Sequence, residues 1–124
     1  MKDNIIIEKA EGFADRIVRM CSFLKSNRKA SKDIVNQILR SGTSIGANIA
    51  ESQYAQSRPD FISKLSIALK EANETKFWLN RIHTAGYLSD KEYESVYFDN
   101  IEIIRILTSI TKSLKQANGV SQNY

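Results

Sequence analysis

Apolar residues recur every three or four positions along almost the whole chain, in four stretches separated by short polar breaks. From about Asn4 to Ser26, the residues Ala10, Phe13, Ala14, Ile17, Val18, Cys21 and Leu24 fall on one helix face. Ser26-Asn27-Arg28 interrupts that pattern, and Ser31 is placed to cap a second helix bearing Ile34, Val35, Ile38, Gly42, Ile45, Ile49 and Ala50. Ser57-Arg58-Pro59-Asp60 opens a third, because proline is tolerated in a first turn, where its missing N–H would have had no intrahelical partner. The third stripe is Phe61, Leu65, Ala68, Leu69, Ala72, Leu79 and Ile82, and Gly86 stops it. Ser89-Asp90-Lys91-Glu92 is a capping box, after which Tyr93, Val96, Tyr97, Ile103, Ile104, Leu107, Ile110 and Leu114 form a stripe interrupted only by Asn100 and Thr111.

The pattern predicts helices over about 4–26, 31–55, 59–85 and 90–117, with 118–124 a frayed polar tail. Four long amphipathic helices joined by short loops bury their stripes most simply as an all-α, antiparallel up-down-up-down four-helix bundle. No strand-like alternation competes, and residues 1–124 read as one domain.

One stretch departs from ordinary helix composition. Arg40 to Ser52, RSGTSIGANIAES, surrounds Ile45 and Ile49 with small residues, and each interior glycine costs a helix about 0.8–1 kcal/mol relative to alanine. Gly42 and Gly46, four apart, share a face. That face, with Ser44 beside it, reads as a close-packing seam against another helix or a neighbouring subunit. Asn48 and Glu51 form its polar edge.

Charge adds a direction. The net charge of +4 is mild, but Arg16, Arg19, Lys25, Arg28, Lys29, Lys32 and Arg40 face only Asp33 within their span. Between residues 90 and 102 the balance reverses, with Asp90, Glu92, Glu94, Asp99 and Glu102 against Lys91. The asymmetry marks an anion-binding end, complementary charge between subunits, or solvated helix ends. No apolar run reaches the roughly 20 residues that span a bilayer, and MKDNIIIEKAEG carries acids where a signal peptide needs an apolar core, so a cytoplasmic protein without a membrane partner is expected. Cys21, the only cysteine, sits in an apolar stripe and reads as a buried thiol.

Catalytic patterns are missing. His83 is the only histidine and has no carboxylate among its immediate neighbours, so it reads as a helix-terminal structural residue. Glu51, Glu71 and Glu74 could converge, but di-iron bundles pair glutamate with an i+3 histidine on two helices, which this chain lacks. Neither GxxxxGK[ST] nor a strand-borne GxGxxG occurs. The sequence therefore predicts no enzyme, no metal and no cofactor. The remaining polar set on the second and third helices, Arg40, Asn48, Glu51, Glu71, Asn73, Glu74 and Arg81, reads first as interhelical pairing. Phe77 and Trp78 beside it read as packing residues, within the bundle or between subunits, ahead of base-stacking ones.

SIGANIAES, then FISKLSIAL over Phe61–Leu69, Glu71, Glu74 and the closing Ala85-Gly86-Tyr87-Leu88 occur in order and in register. Together they resemble the four-helix-bundle family of 23S rRNA intervening-sequence proteins, over roughly residues 10–115. The resemblance implies an antiparallel bundle assembled into a ring, typically a homopentamer, without established enzymatic activity and with a role inferred to involve RNA. The same fold is similar to the accessory variability determinant of diversity-generating retroelements, a pentameric basic barrel that binds nucleic acid and a reverse transcriptase. This chain is less basic, and its fourth helix starts with acids. A self-assembling bundle is expected, binding structured RNA or a ribonucleoprotein through Arg19, Lys25, Arg28, Lys29, Lys32 and Arg40. The competing expectation is a protein adaptor, for a reverse transcriptase for example, with a groove near Asn48, Glu51 and Trp78.

Overall fold

Each polar break becomes a tight helix end. The computed structural model describes residues 2–119, with α1 over Lys2–Asn27, α2 over Lys32–Ser52, α3 over Arg58–Thr84 and α4 over Asp90–Gly119. Most of the expected tail, residues 120–124, lies outside the described residues.

The ends differ in how they are closed. At the start of α3, Ser57 is extended and its hydroxyl accepts from the Asp60 N–H at 3.2 Å, while the Asp60 carboxylate accepts from the Gln56 N–H at 3.1 Å. At its end, Gly86 adopts φ +90°, so that its N–H reaches the His83 carbonyl and the Tyr87 N–H reaches the Ile82 carbonyl. The Ser89–Glu92 box closes in both directions, at 2.8 and 3.1 Å. Ser31 precedes α2, but its hydroxyl makes no cap bond, its backbone lying well away from the extended geometry of Ser57.

α2 stops at Ser52, three residues before the expected Ala55. The N–H groups of Gln53, Tyr54 and Ala55 reach back three residues instead of four, to the carbonyls of Ala50, Glu51 and Ser52. The Ser52 hydroxyl meanwhile donates to the Ile49 carbonyl at 2.6 Å. A serine competing for helix carbonyls, with no apolar residue left to bury, tightens the last turn and ends it.

The helices pack in chain order, α1 on α2, α2 on α3, α3 on α4 and α4 back on α1, with no diagonal contact among the described residues. This is the antiparallel up-down square. Ile17, Leu24, Ile38, Ile45, Ile49, Leu79, Ile82, Ile103 and Leu107 are fully buried at its centre, each such side chain contributing about 1.5–3 kcal/mol. Asn100 shares that core, donating to the Ala72 carbonyl at 3.0 Å while its Oδ1 has no partner among the described residues.

The closing edge is the loosest. α1 and α4 approach less closely than the other neighbours, and open clefts of about 220, 400 and 460 Å³ lie along their seam. Ion pairs span it: Lys9 to Glu102 at 3.0 Å, Arg16 to Asp99 at 2.6 Å and Arg28 to Glu92 at 2.8 Å. The acidic run of α4 therefore meets the basic run of α1 within one chain. Asp90 lies 2.8 Å from His83 Nε2, and Glu94 alone of the five acids has neither an ion pair nor a histidine partner among the described residues.

Candidate nucleic-acid interface

The small-residue seam faces inward. A Cβ on Gly42 would lie 3.0 Å from both Cγ1 and Cγ2 of Ile17, and one on Gly46 would lie 3.3 Å from the Ala10 carbonyl oxygen. Glycine at these two positions is what lets α2 lie against α1. The hydroxyls of the run are satisfied at home: Thr43 donates to the Leu39 carbonyl at 2.7 Å, Ser44 to Arg40 at 2.6 Å, and the Asn48 amide to Ser44 at 2.9 Å. On the other flank, Ser41 and Thr75 meet in the interior at 3.0 Å, tying α2 to α3.

The carboxylates beside this seam form an ion-pair cluster. Arg40 reaches Glu71 at 3.1 Å and also Glu74, whose Oε2 accepts from the Trp78 indole at 3.1 Å. The indole first, then the guanidinium, hold the Glu74 carboxyl below the usual range. Glu51 pairs with Lys64 at 3.1 Å, apart from that cluster. Among the described residues, no group of three or more His, Cys, Asp or Glu side chains is placed to hold a metal.

The basic candidates separate into two classes. Arg28 is engaged, forking onto both Glu92 oxygens at 2.8 Å and donating to the Tyr87 carbonyl at 2.7 Å. Its hydrogen bonds, then the Ser89 N–H, pull the Glu92 carboxyl down to about 2. Arg40 is engaged in the cluster above. Arg19, Lys29 and Lys32 are exposed and make no ion pair among the described residues, and Lys25 donates only to the Asn36 side chain. Lys29 and Lys32 flank the α1–α2 turn, where Lys29 takes a left-handed backbone (φ 53°), a conformation that costs a non-glycine residue roughly 1 kcal/mol. The Arg28 fork to Glu92 anchors this turn to the start of α4, so the lysines project from a fixed support.

His83 belongs to the same end of the bundle. Its ring stacks on Tyr93 at 4.0 Å with planes 5° apart, and Nε2 lies 2.8 Å from Asp90 Oδ1. It latches α3 to α4. Phe77, read from the sequence as packing within the bundle or between subunits, is 53% exposed and so does not pack inside this bundle, whereas its neighbour Trp78 is half-buried against the Arg40 cluster.

The 23S rRNA-intervening sequence protein family model matches residues 2–109. The chain belongs to that family. A crystal structure of a protein of unknown function from the S23 ribosomal protein family, from Bacteroides thetaiotaomicron VPI-5482, superposes with a TM-score of 0.87 at 52% identity, covering 90% of this chain and 99% of that one. No curated protein matches significantly. The four-helix bundle of the described residues accords with that structural likeness. No described helix is long and apolar enough to cross a membrane.

Proposed function

We propose that this chain is a non-enzymatic, self-assembling RNA-binding bundle, pentameric by its family resemblance, that holds phosphates through Lys29 and Lys32 with Arg19 and Lys25 in support. The observation that carries this reading is the division of the cations. Arg28 and Arg40 are neutralised by α4 and α3, while Arg19, Lys25, Lys29 and Lys32 make no ion pair among the described residues, Lys29 and Lys32 lying beside the supported α1–α2 turn. Phosphate contacts of this kind position RNA without reading its sequence. A ring would repeat the patch and strengthen its field.

Self-assembly is supported by exposed apolar side chains on α1 and α4: Ile5 (51% exposed) and Phe23 (44%) line the open clefts, and Phe98 is 67% exposed. The same observation favours the second reading, an adaptor for a protein such as a reverse transcriptase, as in the retroelement accessory proteins the fold resembles. Fluorescence anisotropy with a labelled RNA hairpin, alongside light scattering, tests both. The RNA reading predicts binding by an oligomer, lost on Lys29→Glu with Lys32→Glu. Absence of RNA binding, with protein partners that survive nuclease treatment, would replace it by the adaptor reading.

A further inference from the structure

α3 carries a second cationic surface, and it differs in kind from the first. Lys70, Asn73, Phe77 and Arg81 follow one another at steps of three, four and four residues, opposite the buried stripe of Ala68, Ala72, Thr75, Leu79 and Ile82. All four are exposed, and the stripe is about 16 Å long at 1.5 Å per residue. Every carboxylate on α3 is already held: Asp60 by the Gln56 N–H, and Glu71 and Glu74 by Arg40. Lys70 and Arg81 have no carboxylate within ion-pair distance among the described residues. The Arg81 guanidinium instead lies over the Phe77 ring, 5.4 Å from its centroid, while the Trp78 ring meets Phe77 edge-on at 5.0 Å. The Phe77 ring thus carries a cation over one face and has the half-buried indole at its side, in a side chain that is 53% exposed.

We infer that this stripe is a stacking platform for an unpaired nucleotide, with Phe77 taking the base and Lys70 and Arg81 the flanking phosphates. The inference rests on the RNA reading above and adds a preference for single-stranded segments. Its chemistry is complementary: a polyanion matches a face whose acids are neutralised, and a base matches a ring already organised by cation–π contact. Bases inside a duplex present no free face to such a ring. Arg40 lies level with Glu74 and Ser41 with Thr75, so the antiparallel register sets Lys32 at about the height of the α3 turn that carries Arg81.

The test compares a fluorescein-labelled oligouridine with an RNA duplex of equal length, using the full chain, Phe77→Ala, Phe77→Trp and the Lys29→Glu/Lys32→Glu variant. Circular dichroism checks that each is folded, which the exposed position of residue 77 makes the expected result. Phe77→Ala is expected to weaken oligouridine binding about 5- to 100-fold, the range for loss of one stacked base, with duplex binding and salt slope unchanged. Phe77→Trp restores it. In the wild type, oligouridine should also quench Trp78, the only tryptophan. If Phe77→Ala binds oligouridine like wild type while the lysine reversal abolishes binding, the stacking platform is overturned and the RNA reading stands. If Phe77→Ala lowers the mass measured by light scattering without changing RNA affinity, the stripe is a contact between copies and the inference is again overturned. Absence of RNA binding by the wild type overturns both.

Discussion

Gly42 of α2 sits directly over Ile17 of α1, so close that a Cβ at residue 42 would lie 3.0 Å from both branches of that fully buried isoleucine. Two effects compete when alanine is introduced here: a helix-propensity gain of about 1 kcal/mol and an overpacking cost of about 1–3 kcal/mol. A branched side chain locked in the core cannot yield, so the cost wins. Gly42→Ala is expected to lower stability by up to about 2 kcal/mol in urea unfolding. Gly12 provides the control, because nothing lies within 4 Å of its Cβ position. Gly12→Ala should raise stability by about 0.5–1 kcal/mol. Gly46→Ala should fall between them, since its Cβ would meet a backbone oxygen at 3.3 Å and needs a shift of only a few tenths of an ångström. Equal effects at all three positions would contradict the close-packing account.

The Glu92 carboxyl should set part of the acid limb. Its pKa falls from an ordinary 4.5 to about 2 in the folded chain, through the hydrogen bonds from Arg28 first and the Ser89 N–H second. Because the folded value is depressed, the unfolded chain binds this proton more readily. The contribution is therefore complete above about pH 4.5 and disappears as pH falls toward about 2. Urea midpoints followed through that window should decline less in Glu92→Gln than in wild type, and a parallel decline would remove Glu92 from the explanation.

Asn100 is a polar group in the core with one half of its amide unmatched. Asn100→Leu removes the unsatisfied Oδ1 and leaves the Ala72 carbonyl to its own helix, so thermal unfolding should show equal or higher stability, by up to about 2 kcal/mol. Asn100→Ala should instead cost about 1–3 kcal/mol through the cavity it opens. Destabilisation by leucine as large as that by alanine would show that Oδ1 is satisfied after all.

Cys21 gives a probe of opening. The thiol is buried, burial lifts it to about 11, and its Sγ lies 3.6 Å from the Val35 carbonyl. A thiol-reactive disulfide reagent should label it only as fast as the bundle unfolds. Labelling of native protein at the rate of a free thiol would contradict its place in the core.

The apolar stripes carried the four-helix architecture, because a three-four repeat has one low-energy solution when loops are short. Gly86 and the Ser89–Glu92 pair were legible for a related reason: their backbone chemistry is local. Partner choice was not. Gly42 and Gly46 announce close approach, yet only the register of α1 shows that Ile17 and Ala10 fill the space. The acidic start of α4 was open to a neighbouring subunit until α1 was seen to run antiparallel beside it, bringing Arg16 to Asp99 and Arg28 to Glu92. Phe77 was grouped with Trp78 by adjacency, although residues one apart in a helix point about 100° away from each other. The spacing of Lys70, Asn73, Phe77 and Arg81 was the available signal for an outward face.

The salt dependence of RNA affinity tests the central claim most directly. On an RNA duplex, the four phosphate-contacting cations Arg19, Lys25, Lys29 and Lys32 predict a slope of log affinity on log salt of about −3 to −4 per bound subunit, shallower by about 2 when Lys29 and Lys32 are replaced by alanine. RNA affinity that is insensitive to salt, or a slope unchanged by the double substitution, would contradict it.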